Sequence, residues 1–425
     1  MHWLVMVSRF KLALIAIVML SLGMSSVGRP RRQRLLKAPQ PVIEQPEQIA
    51  QVTLAPATTA DLNTSARALS YHVRVLLAKY DQVRDAQIVI RNDQGFILID
   101  PEDANTKSTI TAPTLTIYVR DGHLIVNSKK YRKHELYITA RSTGTLRWQD
   151  RSYRGSFLIV LKDNQLYVIN SVDLEDYVCC VLRTESWPGW PVEVNKVLAI
   201  ACRSYAIGVI AAQKHKKPLY HVKNTNHHQT YAGIHTDPIL QQAVNETKGV
   251  FIAYNNRPII AMFDACCGGI VPADMQGIDF DKEPYLARPY ACMYCKECKI
   301  FNWQARWTAQ ELEGLLHEVL PALKNLKECK ISKRDKAGII HELAVRGNRP
   351  FHLTGKQLYS QCKKKIKSFS FTITKQANAF IFKGKGYGHH LGLCQWGARE
   401  MVRQGYSCRG ILQFYYPQTT FMRLS

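Results

Sequence analysis

From Val192 to Gln213 the chain reads VEVNKVLAIACRSYAIGVIAAQ, and no other segment restricts the fold more. At helical spacing Val194, Val197, Leu198, Ala201, Tyr205, Gly208 and Ala212 form one face, while Ile200, Ile207 and Ile210 lie on the opposite side. A helix that is apolar nearly all round must be enclosed by other elements. The pattern therefore predicts a central buried helix, and 425 residues are enough to build one large core or two medium ones around it. One charge interrupts the pattern. Arg203 falls among the isoleucines, and a guanidinium held there needs an acidic partner. Glu185, one loop away, is a candidate; so are substrate hydroxyls, or a structural ion pair with Glu193 or another acid.

Just before this helix stands Glu185-Ser-Trp-Pro-Gly-Trp-Pro191. A carboxyl beside indole rings has a poorly solvated anion, so its pKa should rise. Near neutral pH such an acid can donate a proton to a leaving oxygen. The flanking Trp187 and Trp190 offer faces on which sugars stack. The plainer alternative makes Glu185 a helix cap and the tryptophans core.

The remaining pattern is α+β. Between residues 63 and 172 short strand-like runs recur (His72 to Leu77, Ala86 to Arg91, Thr114 to Val119, His123 to Val126, His134 to Ala140, Ser156 to Val160, Gln165 to Asn170), divided by turn signals such as Arg120-Asp-Gly122. Residues 173–425 mix helix and strand: helices over Asp237 to Glu246, Ala309 to Leu320 and Cys394 to Gln404, strands over Val250 to Tyr254, Pro258 to Phe263 and Ala379 to Phe382. Residues 321–375 give weak signals and many lysines. Residues 1–28 carry Arg9 and Lys11, then an apolar run from Leu12 to Met24, the build of an export signal. Arginines at 29, 31, 32 and 34 are unusual after a cleavage site, so an uncleaved membrane anchor is the alternative. Residues 29–62, rich in Pro, Gln and Ala, read as a linker.

A net charge of +24 calls for an anionic partner: nucleic acid, a membrane face or an anionic envelope polymer. No helix-turn-helix, RNA-recognition or zinc-finger spacing is present, and the export-type N-terminus argues against nucleic acid. Two clusters could hold metal. His215, His221, His227 and His228 are spaced for zinc, although Lys214, Lys216 and Lys217 would repel a cation. Cys266, Cys267, Cys292, Cys295 and Cys298 suit a structural zinc knot or two disulfides. Gly384-Lys-Gly-Tyr-Gly388 follows a strand, but His389 occupies the third position of a dinucleotide glycine pattern and too little chain follows. The glycines instead indicate a backbone that approaches something closely, with His389 at the rim and Gln395 behind it.

Four blocks in order carry a family resemblance. They are Tyr177, Val178, Val181, Leu182 and Glu185; Trp190, Pro191, Glu193 through Arg203, Ser204, Tyr205 and Ala206; Gln229-Thr-Tyr-Ala-Gly233 with Cys267-Gly-Gly269; and Phe382 to Ala398. Together they resemble the stage II sporulation protein D (SpoIID) and amidase-enhancer family over roughly residues 65 to 425. Departures are Cys179 and Cys180 in place of small residues, Ser186 in place of Met, and His390 in place of Gly. The resemblance implies an exported cell-wall protein acting on peptidoglycan glycan strands. Family members cleave the MurNAc–GlcNAc bond without water and leave 1,6-anhydro ends, preferring strands stripped of stem peptides. The enhancer branch is thought to stimulate a separate amidase. Carried over, Glu185 and Arg203 become catalytic, and Trp187, Trp190, Gln229, Tyr231, His389 and Gln395 substrate-binding. Some members carry a His/Cys zinc site that would fall at His227-His228-Gln229.

Overall fold

The computed structural model describes residues 50–51 and 71–424, apart from 85, 100–106, 132–133 and 143. The export signal expected at 1–28 and nearly all of the linker expected at 29–62 lie outside these residues.

The strand-rich expectation holds. Seven strands order as Val222–Lys223, His72–Tyr80, Gln165–Asp173, Ser156–Lys162, Glu135–Ala140, Phe96–Ile99 and Lys107–Ile110. Six others order as Arg151–Tyr153, Leu146–Trp148, Gln87–Arg91, Thr114–Arg120, His123–Val126 and Lys129–Lys130. Alternation sets the buried faces: Ile88 and Ile90 on one strand, and Leu115 and Ile117 on its partner, are fully buried. Both sheets contribute to the same hydrophobic core as the helices that follow.

The strand-rich part expected at 63–172 continues directly into the part expected at 173–425. The Gln165–Asp173 strand runs directly into helix α1 (Leu174–Glu185), whose N-cap Asp173 accepts the Glu175 N–H at 2.9 Å. The later strand Val222–Lys223 also returns to pair with His72–Tyr80. Helix α2 (Val192–Gln213) has the predicted bounds and is buried along its length. By length and composition it could cross a membrane, but 78% of its most apolar stretch is buried inside the protein, the placement of a core helix. Helix α3 (Pro238–Glu246) packs beside α1 and α2.

A second, separate core lies between Asn302 and Lys385. Here Asn302–Thr308, Ala379–Lys385 and Phe371–Gln376 form one sheet, Glu328–Arg334, Ile340–Arg346 and Pro350–Thr354 another. Helices α4 (Ala309–Leu316) and α5 (Gly355–Cys362) each begin with a capping box, from Thr308 and Thr354. The chain then returns to the first core through α6 (Gln395–Arg403) and α7 (Cys408–Tyr415).

Candidate active site around Glu185

Glu185 is the last residue of α1. The helix stops because Ser186 turns extended (φ −89°, ψ 154°) ahead of Pro188, which disfavours helical geometry before it. Trp187 to Trp190 then make a tight turn closed by Trp190 N–H to the Trp187 carbonyl at 3.2 Å, with Pro188 second and Gly189 third at φ +77°, where glycine is favoured. Asn195, buried on α2, locks this turn. Its amide donates to the Trp190 and Pro191 carbonyls, each at 3.1 Å, and its oxygen accepts from Ser186 Oγ at 2.5 Å.

The Glu185 carboxyl is half-buried. Burial pushes its pKa up, and the Thr230 N–H, donating to Oε1 at 3.1 Å, opposes part of that rise. The negative end of α1 acts in the same direction as burial. Among the described residues no protein donor reaches Oε2. The result is an acid with one oxygen positioned and the other free.

Thr230 is a residue that sequence reasoning passed over. Its carbonyl also accepts from Thr184 Oγ1 at 2.6 Å, so the segment is pinned on both sides of the acid. Gln229 and Tyr231, expected at the substrate, are instead fully buried beneath it. Tyr177 donates to Gln229 Oε1 at 2.9 Å, Tyr231 donates to Asn170 Oδ1 at 2.6 Å, and the two tyrosines stack at 5.5 Å. These side chains position Thr230 rather than meet solvent.

Arg203, expected to be catalytic, likewise lies within the fold. It is fully buried; Nε and Nη2 hold Glu175 at 2.9 and 2.6 Å, and Nη1 donates to the Val250 carbonyl at 3.0 Å. The required acid is therefore Glu175, on the first turn of α1, and not Glu185 or Glu193. Glu193 pairs with Lys196 at 2.8 Å.

In the turn after Glu185, Trp187 and Trp190 meet a third indole from a distant part of the chain. Trp187 and Trp190 stack at 6.3 Å, and Trp396 of α6 meets them edge-on at 5.4 and 5.5 Å. Cations lie over this surface: Lys299 Nζ is 5.2 Å from the Trp187 ring, and the Arg399 guanidinium is 5.2 Å from Trp396. Trp190 is nearly buried, whereas Trp187 and Trp396 are partly exposed. The platform therefore consists chiefly of Trp187 and Trp396.

The backbone of the glycine-rich segment comes close to another part of the chain, the Asp264 side chain. Gly388 has φ +135°, and a Cβ there would lie 2.3 Å from Asp264 Cβ. The backbone N–H of His390 donates to Asp264 Oδ2 at 2.7 Å. His389 is half-buried, its Nδ1 accepts from the Leu391 N–H at 3.1 Å, and burial with the adjacent His390 pushes its pKa down to about 4. Gln395 is 4% exposed at the start of α6 and faces no solvent.

The four histidines do not converge. Both ring nitrogens of His221 are engaged by Arg74, at 3.1 Å each, and burial pushes its pKa down to about 4. His215 and His227 are exposed, and His228 packs edge-on against Tyr205 at 6.4 Å. Among the described residues, the group with metal-ligand spacing is Cys267, Cys292, Cys295 and Cys394. The last of these lies in the glycine-rich block and was missed as a ligand, since no CxxC partner flanks it.

The model of the stage II sporulation protein family matches residues 162–254, which contain Glu185, Arg203 and Thr230. A domain of unknown function (DUF8618) matches residues 292–392. An uncharacterized protein of Brachyspira hyodysenteriae is 30% identical over 311 residues, covering 73% of this chain and 82% of that protein. The amidase enhancer of Bacillus subtilis is 26% identical over 56% of this chain and 39% of its own length. Stage II sporulation protein D of Bacillus amyloliquefaciens is 23% identical over 58% of this chain and 74% of its own.

Proposed function

The chain belongs to the stage II sporulation protein D family, and from that premise we propose that it is an exported lytic transglycosylase, cleaving MurNAc–GlcNAc bonds of peptide-stripped glycan strands. The observation that carries this reading is Glu185: a carboxyl with a raised pKa, one oxygen fixed by Thr230 N–H and the other without a protein donor among the described residues, two residues ahead of Trp187 of the indole group. A proton-bearing Glu185 donates to the glycosidic oxygen as the bond from C1 breaks. The MurNAc 6-hydroxyl then attacks the oxocarbenium carbon, and its proton returns to the Glu185 carboxylate. One carboxyl completes the cycle.

Hydrolysis of the usual kind needs a second carboxylate to attack or to activate water. The neighbouring acids have other tasks: Glu175 holds Arg203, Glu193 holds Lys196, and Asp237 caps α3. Stripped strands expose the lactyl carboxylate of each MurNAc. Lys299 and Arg399 beside the indoles, and the overall charge of +24, suit such a polymer. The chemistry calls on no metal.

A second reading has its own support, since a relative is an amidase enhancer. On that reading the protein binds glycan without cleaving it and stimulates a cell-wall amidase. Purified protein incubated with stripped glycan separates the two. Release of soluble fragments, reduced roughly 100- to 10,000-fold by Glu185→Gln, is expected of the enzyme; binding without release in the wild type would leave the enhancer.

A further inference from the structure

Cys267, Cys292, Cys295 and Cys394 are each at most 1% exposed, and their sulfurs all lie within 4.8 Å of one another. They come from three separate stretches of chain. Cys267 follows the Phe263–Asp264 strand, Cys292 and Cys295 sit in the loop ahead of the second core, and Cys394 ends the strand Leu393–Cys394 that pairs with Phe263–Asp264. We propose that these four thiolates form a tetrahedral zinc centre, distinct from the histidine segment at 215–228 and independent of the reaction assigned to Glu185.

Geometry supports a single ion. Zinc–sulfur bonds of about 2.3 Å place the corners of a tetrahedron about 3.8 Å apart. The sulfurs of Cys267 and Cys295 are 3.8 Å apart, and those of Cys292 and Cys295 are 3.9 Å apart. A disulfide requires about 2.0 Å, and a four-iron cluster would spread its thiolates further than this group allows. An all-sulfur tetrahedron without an open position is a structural site.

The surroundings of Cys394 point the same way. Its sulfur accepts the N–H of Gly397, in the first turn of α6, and the N–H of Cys267, both at 3.3 Å. A neutral thiol is a weak acceptor. Two backbone N–H donors converging on one buried sulfur are the outer contacts that orient a metal-bound sulfur. The Tyr415 hydroxyl, 3.2 Å from Cys292 Sγ, adds another polar neighbour.

The location gives the centre a task. Cys292 and Cys295 precede the second core, and Cys394 follows it, so the ion would close the neck of residues 302–385. It would also tie the loop bearing Lys299 to the helix bearing Trp396, the pair that meets at the indole platform. Cys266, whose sulfur is 3.7 Å from that of Cys298, adjoins the group and also neighbours Cys295 and Cys394.

The test is elemental analysis of the full, tag-free chain purified under reductant. One zinc per chain is expected. It should persist in Cys298→Ala and in the double variant His227→Ala with His228→Ala, and be lost in Cys394→Ser and Cys267→Ser. Because those serine variants could unfold, the wild type is also exchanged with cobalt(II), which should give the intense visible absorption and sulfur-to-metal charge transfer of a tetrahedral thiolate site. Absence of metal, two zinc ions, iron in place of zinc, loss of zinc in the histidine variant, a cobalt spectrum without thiolate bands, or disulfides among the four cysteines in the unreduced chain would each overturn the assignment.

Discussion

Arg203→Met should destabilise the protein strongly while sparing its chemistry. The guanidinium is fully buried and makes three hydrogen bonds, two to Glu175 and one to the Val250 carbonyl. Removing one partner of a buried pair typically costs about 3–5 kcal/mol, because the other charge stays behind unpaired. Here Glu175 retains the Gly249 N–H at 3.0 Å and is 20% exposed, which places its share near the lower bound. The abandoned Val250 carbonyl adds about 1 kcal/mol or more. The sum is about 4 kcal/mol, a large part of the roughly 5–15 kcal/mol of a typical domain. Thermal and urea unfolding should show it, with a loss of melting temperature on the order of 10 °C. A double-mutant cycle with Glu175→Gln should return a coupling energy of about 2 kcal/mol or more. Glycan release by the folded variant, assayed well below its midpoint, should stay near wild type. A variant within about 1 kcal/mol of wild type would refute the energetic argument. A stable but inactive variant would restore Arg203 to the catalytic group.

Glu185→Gln should also change stability. Burial raises the Glu185 pKa in the folded chain. Between the ordinary carboxylate range and that raised value the folded state holds a proton that the unfolded chain has released, so stability falls as pH rises through this window. The glutamine variant lacks that slope. Its melting temperature should exceed wild type at pH 7 to 8 and converge with it below about pH 4; a constant difference across pH would contradict the assignment. Gly388→Ala should cost about 3 kcal/mol or more, from the strained φ of +135° and the 2.3 Å approach to Asp264. Circular dichroism melts would show this, and an unchanged midpoint would mean that the segment relaxes freely.

What the sequence disclosed follows from physical range. The α2 pattern is a local signal of 22 residues, and its bounds came out as expected. Short β-type runs bounded by turn signals likewise located His123–Val126 and most of its neighbours. Residues 321–375 of the second core were hard to read because buried Leu343 and Val345 alternate with Glu342, Ala344 and Arg346 on a short strand, beside the lysine-bearing Glu328–Arg334. At the site, Glu185 was singled out because indoles and prolines flank it and because it matches the acid of the resembled family. Glu175 as the partner of Arg203 was not, since 28 residues and a change of element separate them. Gln229 and Tyr231 were read as facing substrate, although their bulk and hydrogen bonds serve the layer beneath. Cys394 and Trp396 join their partners only through the parallel pairing of Phe263–Asp264 with Leu393–Cys394, which no local pattern encodes.

The central claim is that a single acid, Glu185, breaks the glycosidic bond and that the sugar's own hydroxyl closes on the cation. Mass spectrometry of products formed from stripped glycan in heavy-oxygen water addresses it directly. The expected product ends in 1,6-anhydro-MurNAc, lighter by one water than the reducing sugar and free of solvent oxygen, and it disappears with Glu185→Gln. A reducing end that carries the heavy isotope would show hydrolysis and contradict the account.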